Sequence, residues 1–324
     1  MNFMKNAKNI MYLTFYCIIV LCITVSIYAS EYHEPYSEAI TSKMYLINYD
    51  QIVTIQDKNN KGKTIEYSPK NDFYINQFGY EYCIKNLSLF FSTSIYNAGG
   101  FNFFKTRMFS LYYSFYKFAC DVYYYDYDLY NLYEIGSDSD EEKFDDYAEP
   151  DVSSQHYGAN LYWILSDDFS YNATFKQTER QSKSAGSFIV HISPYISKYK
   201  SNEILIPENQ RIYYDNDSVL KHVDIQSLLL SIGYCYNLTY DGFYIAPFGY
   251  IGKEYKNVEY NTTIGDKEKT QWENYYKWGA MIGYNESDSI LVLEYVNEYH
   301  FADSEYAEMK FINKAINLVI GYRI

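Results

Sequence analysis

Ile316-Asn317-Leu318-Val319-Ile320-Gly321-Tyr322-Arg323-Ile324 is the stretch that decides the fold. Ile316, Leu318, Ile320, Tyr322 and Ile324 share one parity; Asn317, Val319, Gly321 and Arg323 share the other. A strand turns successive side chains to opposite faces, so this is one greasy face and one mostly small or polar face. A chain that ends on such a strand suits a closed barrel, where the last strand pairs with the first and leaves no edge.

The same alternation recurs upstream. Leu228, Leu230, Ile232, Tyr234, Tyr236 and Leu238 oppose Ser227, Ser231, Gly233, Cys235, Asn237 and Thr239. Tyr276, Trp278, Ala280, Ile282 and Tyr284 oppose Lys277, Gly279, Met281, Gly283 and Asn285. Strand-like runs are expected over 43–56, 64–67, 72–84, 87–96, 105–116, 119–133, 155–165, 169–180, 187–200, 223–240, 242–255, 272–284, 289–301 and 306–324. Tight turns are expected at Lys85-Asn86, Lys117-Phe118, Asp241-Gly242 and Asn285–Asp288. Polar loops fall at Gly136–Ser154, Ser201–Lys221 and Asn261–Lys269. The expected fold is all-β: one antiparallel up-and-down transmembrane barrel of about twelve strands, between roughly ten and fourteen. A soluble sandwich or lipocalin-like barrel, with its greasy face inward, would show the same periodicity. Short turns alternating with long polar loops favour the membrane barrel.

Composition fits this address. Residues 1–29 carry Lys5 and Lys8 before an apolar run from Ile10 to Ile27, with Ala29 as a small cleavage residue. They read as a secretory signal peptide, leaving 30–324 as the barrel domain in the bacterial outer membrane. The net charge of −14 argues against a nucleic-acid partner. The 43 tyrosines suit strands and membrane–water boundaries. Cys83, Cys120 and Cys235 are too scattered for a disulfide framework or a metal site, and no cofactor fingerprint occurs. The acidic Gly136–Ser154 loop reads as a solvated surface segment; calcium is its sharper alternative, but the spacing of a calcium-binding loop is lacking. Expected partners are outer-membrane lipids and, during biogenesis, the barrel-assembly machinery; the chain is expected to be a monomer.

One stretch stands out as a motif. Phe175, Gln177, Glu179, Gln181, Lys183, Ser184, Ala185, Gly186, Ser187 and Phe188 spell Phe-x-Gln-x-Glu-x-Gln-x-Lys-Ser-Ala-Gly-Ser-Phe. Phe169, Tyr171, Ala173 and Phe175 precede it on one parity, as a strand face would. The sequence resembles the bacterial cell-envelope proteins of domain-of-unknown-function family four-four-two-one, whose hallmark this motif is. Tyr67–Asn71 and Asp121–Tyr127 agree more weakly, with Tyr125 and Leu129 departing from the family's Gln and Gly. The resemblance implies a barrel and no assigned activity, so no catalytic residue is inherited from it.

A structural barrel or a small pore is the function these features favour, with Lys176, Arg180, Lys183 and Arg323 as candidate lumen charges. Two alternatives stand beside it. One is a lipid-modifying hydrolase, with Ser187 or Ser193 as nucleophile, His191 as base and Glu179 as orienter, Glu179 lying opposite His191 in a hairpin. The other is a surface-exposed binding protein. A hydrogen-bond network in the barrel wall accounts for the same four polar residues without chemistry.

Overall fold

The computed structural model describes residues 33–36, 40–58, 63–69, 77–94, 106–128, 130–136, 142–143, 152–202, 204–206, 211, 220–262, 265–286, 288–304 and 307–324. The expected signal peptide and most of the acidic loop lie outside the described residues. Twelve antiparallel strands form one ring: β1 Ile40–Asp57, β2 Gln77–Ile84, β3 Leu87–Ser94, β4 Arg107–Phe115, β5 Phe118–Asp128, β6 Val152–Ile164, β7 Ala185–Ser201, β8 Leu220–Tyr240, β9 Phe243–Thr262, β10 Gly265–Asn285, β11 Ser289–Asp303 and β12 Ala307–Arg323. Each pairs with its neighbour in sequence, and β12 closes on β1 from Arg323↔Thr41 to Ala307↔Asp57. The closing seam ends with Ile324 N–H donating to Ile40 O at 3.0 Å. No edge of the ring is left unpaired.

The connections largely sort by end, the links 263–264 and 304–306 being short ones at the long-loop end. At one end the turns at 85–86, 116–117 and 241–242 are two residues long, and both ends of the ring meet there. Asp241 (φ 48°) and Gly242 (φ 80°) both sit in the left-handed region, as the tight hairpin turn requires. The longer links lie at the other end, where Lys63–Pro69 pairs back onto β1 and is itself paired by Tyr130–Gly136. Only the β6–β7 connection at the short-turn end is long.

The greasy parity faces out. Leu230 (44% exposed), Ile232 (47%), Trp278 (48%) and Ile320 (43%) decide this, because a soluble β-protein would bury them together. The small and polar parity faces in, where glycines make room for rings. A side chain at Gly233 would meet the Tyr250 ring, and one at Gly279 would meet Phe248. Cys83, Cys120 and Cys235 are buried, and no disulfide joins them.

Two sequence expectations are corrected. Phe169–Arg180 is not a strand: Asn172–Lys176 forms a π-type helical turn folded into the lumen, and Glu179–Gln181 pairs with His33–Pro35. Tyr171 and Phe175 are four residues apart, a spacing that a strand and a helical turn both place on one side. The polar stretch Asn261–Lys269 is not a loop, since β9 and β10 run on through Thr262 and from Gly265. A strand that leaves the apolar belt no longer needs greasy outward positions.

Gly233→Val should destabilise the fold by about 1–3 kcal/mol through crowding of Tyr250. Denaturant titration of the refolded protein in detergent micelles checks this; an unchanged midpoint would contradict the ring packing described.

Candidate functional site

The site is the lumen and the plug that enters it. The plug is built locally. Ala173 N–H donates to Ser170 Oγ at 2.9 Å and Thr174 N–H to Ser170 O at 3.2 Å, which starts the turn. Gln177 ends it in the left-handed region (φ 47°), its Nε2 donating to Thr174 O at 2.8 Å and Tyr244 OH at 3.2 Å. Gln181 holds the stem: Ser170 N–H donates to its Oε1 at 2.9 Å, and its Nε2 donates to Asp168 O and Lys183 O. Glu179 accepts from Ser170 Oγ at 2.6 Å and Asn172 Nδ2 at 3.1 Å. These side chains stand in for the backbone partners that an irregular buried segment lacks.

The barrel then grips the plug from many sides. Buried Arg323 of β12 donates to Gln177 O, Glu286 O and Asn285 Oδ1, and lies over the Tyr36 ring at 3.5 Å. Lys43 of β1 donates to Lys176 O at 2.7 Å and pairs with Glu81 of β2 at 2.6 Å. Lys176 reaches the same Glu81 at 3.1 Å. Tyr112 OH donates to Asn172 Oδ1 at 2.7 Å, Asn237 Nδ2 to Thr174 Oγ1 at 2.9 Å, and Asn285 Nδ2 to Glu179 O at 2.9 Å. Tyr171 stacks against Tyr162 and Phe175 at 5.1 and 4.5 Å.

Above the plug the lumen is polar and charged. Glu254 pairs with Lys256 at 2.5 Å and His300 at 2.7 Å, and accepts from Tyr195 OH at 3.0 Å. His156 sits between Ser197 Oγ and Gln51. Nearer the long loops the inward faces turn apolar. Val53, Ile55, Val223, Ile225, Val258 and Phe311 pack with Ile65, Tyr67, Leu205 and Ile206 into one buried cluster. Tyr67 OH ties to Leu205 O across it.

The predicted site residues separate in this geometry. Glu179 registers with Pro35, not with His191, because its segment belongs to the plug. His191 pairs with Tyr162 of β6 and Ser231 of β8. Its Nε2 meets Asn160 Oδ1 at 3.0 Å and its Nδ1 meets Ser231 Oγ at 3.1 Å, so both ring nitrogens are engaged. The partners imply a proton on Nε2. Ser187 lies four residues away on the same strand, about 13 Å along it, and Ser193 about 7 Å. Ser187 Oγ instead accepts from Leu165 N–H (3.1 Å) and Ser166 N–H (3.0 Å) and donates to Phe188 O. Ser193 is buried in the lumen wall. Ser184 Oγ accepts from Thr239 N–H, Phe188 faces outward, and Lys183 is exposed. Of the candidate lumen charges, Lys176 and Arg323 hold the plug, and Arg180 pairs with Glu286 at 2.9 Å. The charges that sequence reasoning passed over, among them Lys43, Glu81 and Asp121, are single ionic residues inside strand runs.

At the mouth, His33 lies 3.3 Å from Glu179. Burial lowers the His33 pKa, but hydrogen bonding and the charge of Glu179 outweigh it, so the net shift is upward from 6.5. Burial raises the Glu179 pKa, but hydrogen bonds from His33, Ser170 and Asn172 outweigh it, so the net shift is downward from 4.5.

The chain belongs to the family described as a domain of unknown function (DUF4421), whose model matches residues 28–324. No curated protein matches it in sequence. Among solved structures it is similar to the outer membrane protease OmpT of Escherichia coli, at 9% identity and TM-score 0.42, covering 94% of this chain and 100% of that one. It is also similar to the toluene transporter TodX of Pseudomonas putida, at 9% identity and TM-score 0.28, covering 91% and 89%. A third is Ail, the attachment invasion locus protein of Yersinia pestis, at 12% and 0.18, covering 89% and 99%.

Arg323→Met should loosen the plug while the barrel stays closed. Losing the charged donor corresponds to about 3 kcal/mol locally, or roughly a hundredfold faster amide exchange at Thr174 and Thr178. Exchange mass spectrometry reads this, and unchanged protection would remove Arg323 from its anchoring role. The His33–Glu179 contribution has its own pH window. The raised His33 contributes fully below 6.5 and loses its contribution as pH rises through its folded value. The lowered Glu179 contributes fully above 4.5 and loses its contribution as pH falls through its folded value. Protection of the 33–35 and 179–181 pair should therefore peak between 4.5 and 6.5 and fall on both sides.

Proposed function

We propose that this is an outer-membrane barrel with a blind interior, a structural element of the cell envelope and not a standing diffusion pore. One observation carries the reading: among the described residues, the lumen is filled at the short-turn end by the plug and at the long-loop end by the apolar cluster. Side chains from at least seven barrel strands hydrogen-bond or ion-pair to the plug or its stem. A solute passing through would have to break that network and also cross a dry apolar layer.

The outward belt supports the membrane setting. On β8 it runs from Leu228 to Leu238, ten residue steps, or about 33 Å along a strand. A tilt of roughly 40° brings this to about 25 Å, the height of an outer-membrane apolar band. Tyr240, Phe243, Tyr116 and Tyr322 crowd the short-turn rim, and Tyr255 packs on Trp272 (5.1 Å) toward the other. Aromatic rings with polar edges suit such boundaries. The short-turn end then faces the periplasm and the longer links face outward. Membrane lipids surround the belt, the assembly machinery inserts it, and the closed ring offers no edge to a second copy, consistent with a monomer.

Three measurements test this. Outer-membrane fractions should show a band whose mobility in dodecyl sulfate shifts on boiling; no shift would remove the barrel from the membrane. The purified chain should stay silent in planar bilayers, and steady openings would overturn the blind interior. Ile232→Arg, near the middle of the belt, should lower stability in lipid vesicles by about 2–4 kcal/mol.

A further inference from the structure

Between the plug and the apolar cluster lies a chamber of about 280 Å³. Asp121 on β5 and Lys277 on β10 both line it. They stand five strands apart in a ring of twelve, on nearly opposite walls. Asp121 has no ion-pair partner among the described residues, and Lys277 has a long one. The hydrogen bond that Asp121 accepts comes from Asn160 Nδ2 at 3.0 Å, and among the described residues no cation lies within 4 Å of it. Lys277 has Glu298 at 3.8 Å, beyond hydrogen-bond distance, while Glu298 Oε1 accepts from Tyr275 OH at 2.5 Å. The neighbouring lumen ions differ: Glu81 is met at 2.6 and 3.1 Å and Glu254 at 2.5 and 2.7 Å. Lys176 also lines the chamber but is committed to Glu81; Glu294 accepts from Asn317 at 2.8 Å and stands on β11, beside the strand of Lys277 and not across from it. Two half-buried charges of opposite sign, one unpaired and one loosely paired, facing across one space are met together by a dipolar ligand.

We propose that this chamber binds a small zwitterion of the α-amino-acid class, its ammonium on Asp121 and its carboxylate on Lys277. Tyr162, Phe175, Phe248 and Tyr250 give the chamber apolar walls for the ligand's side chain. An apolar cavity of about 150 Å³ takes benzene, so this chamber has room for such a ring with its charged head. A cavity of about 370 Å³ at the mouth shares Tyr171 with the chamber, and that ring stands between them. On the far side the chamber shares Asn160, His191 and Lys277 with a smaller space of about 120 Å³. A blind pocket binds without conducting, so the outcome here is separate from that of the bilayer recording.

The test is ligand-observed NMR with L-phenylalanine on the refolded full chain in detergent, each sample first shown to be heat-modifiable. Saturable binding is expected. Asp121→Asn and Lys277→Met should each weaken it about tenfold, the loss of one charge-assisted contact. Phenethylamine, which lacks the carboxylate, should respond to the Asp121 variant alone, and 3-phenylpropionate to the Lys277 variant alone. Tyr171→Ala should speed ligand exchange by opening the way in. No saturable signal with the folded chain, or equal affinity in both charge variants, would overturn the proposal.

Discussion

The structure depends on one inversion: the barrel shows its greasy face outward, so its interior must be satisfied by polar groups. A ring of twelve strands is wide, and inward side chains alone need not fill it. The chain meets this with three layers. Rings set against glycines, as Tyr250 against Gly233, occupy part of the middle. Ion pairs such as Glu254 with Lys256 and His300 neutralise its charges. A segment of the chain's own backbone is folded into one end, and apolar residues close the other.

The Phe175–Phe188 motif takes its meaning from that arrangement. Gln177 and Gln181 use side-chain amides where a strand would have used its neighbours, and Glu179 ties the turn to the leading segment at His33. Ser184 and Ser187 fix the return into β7, and Gly186 lets the Tyr234 and Tyr236 rings pack closely against it. The motif thus builds a folded insert. Gln177, Gln181, Ser184 and Ser187 bond mainly to backbone groups, whereas Glu179 meets the side chains of Ser170, Asn172 and His33.

Much of the fold was legible beforehand because period-two patterning survives wherever one face meets hydrocarbon. Leu230, Ile232, Trp278 and Ile320 all face as their parity required. The patterning failed at its two limits. Phe169, Tyr171, Ala173 and Phe175 kept a strand's alternation while folding into a turn, since spacing by four fits both. Residues 261–262 and 265–269 lost it while remaining extended. Lumen chemistry was the least readable part. Lys43 and Glu81 look like isolated charges in sequence, and only closure of the ring sets them on one plug residue, Lys176.

Arg323 closes β12, and its guanidinium completes the plug's seat. Gln177, 146 positions earlier, cannot receive it until β12 has taken its place beside β1. Docking of the insert therefore reports that the cylinder has been sewn shut. An incompletely assembled barrel would carry a dangling stopper and a wet bore.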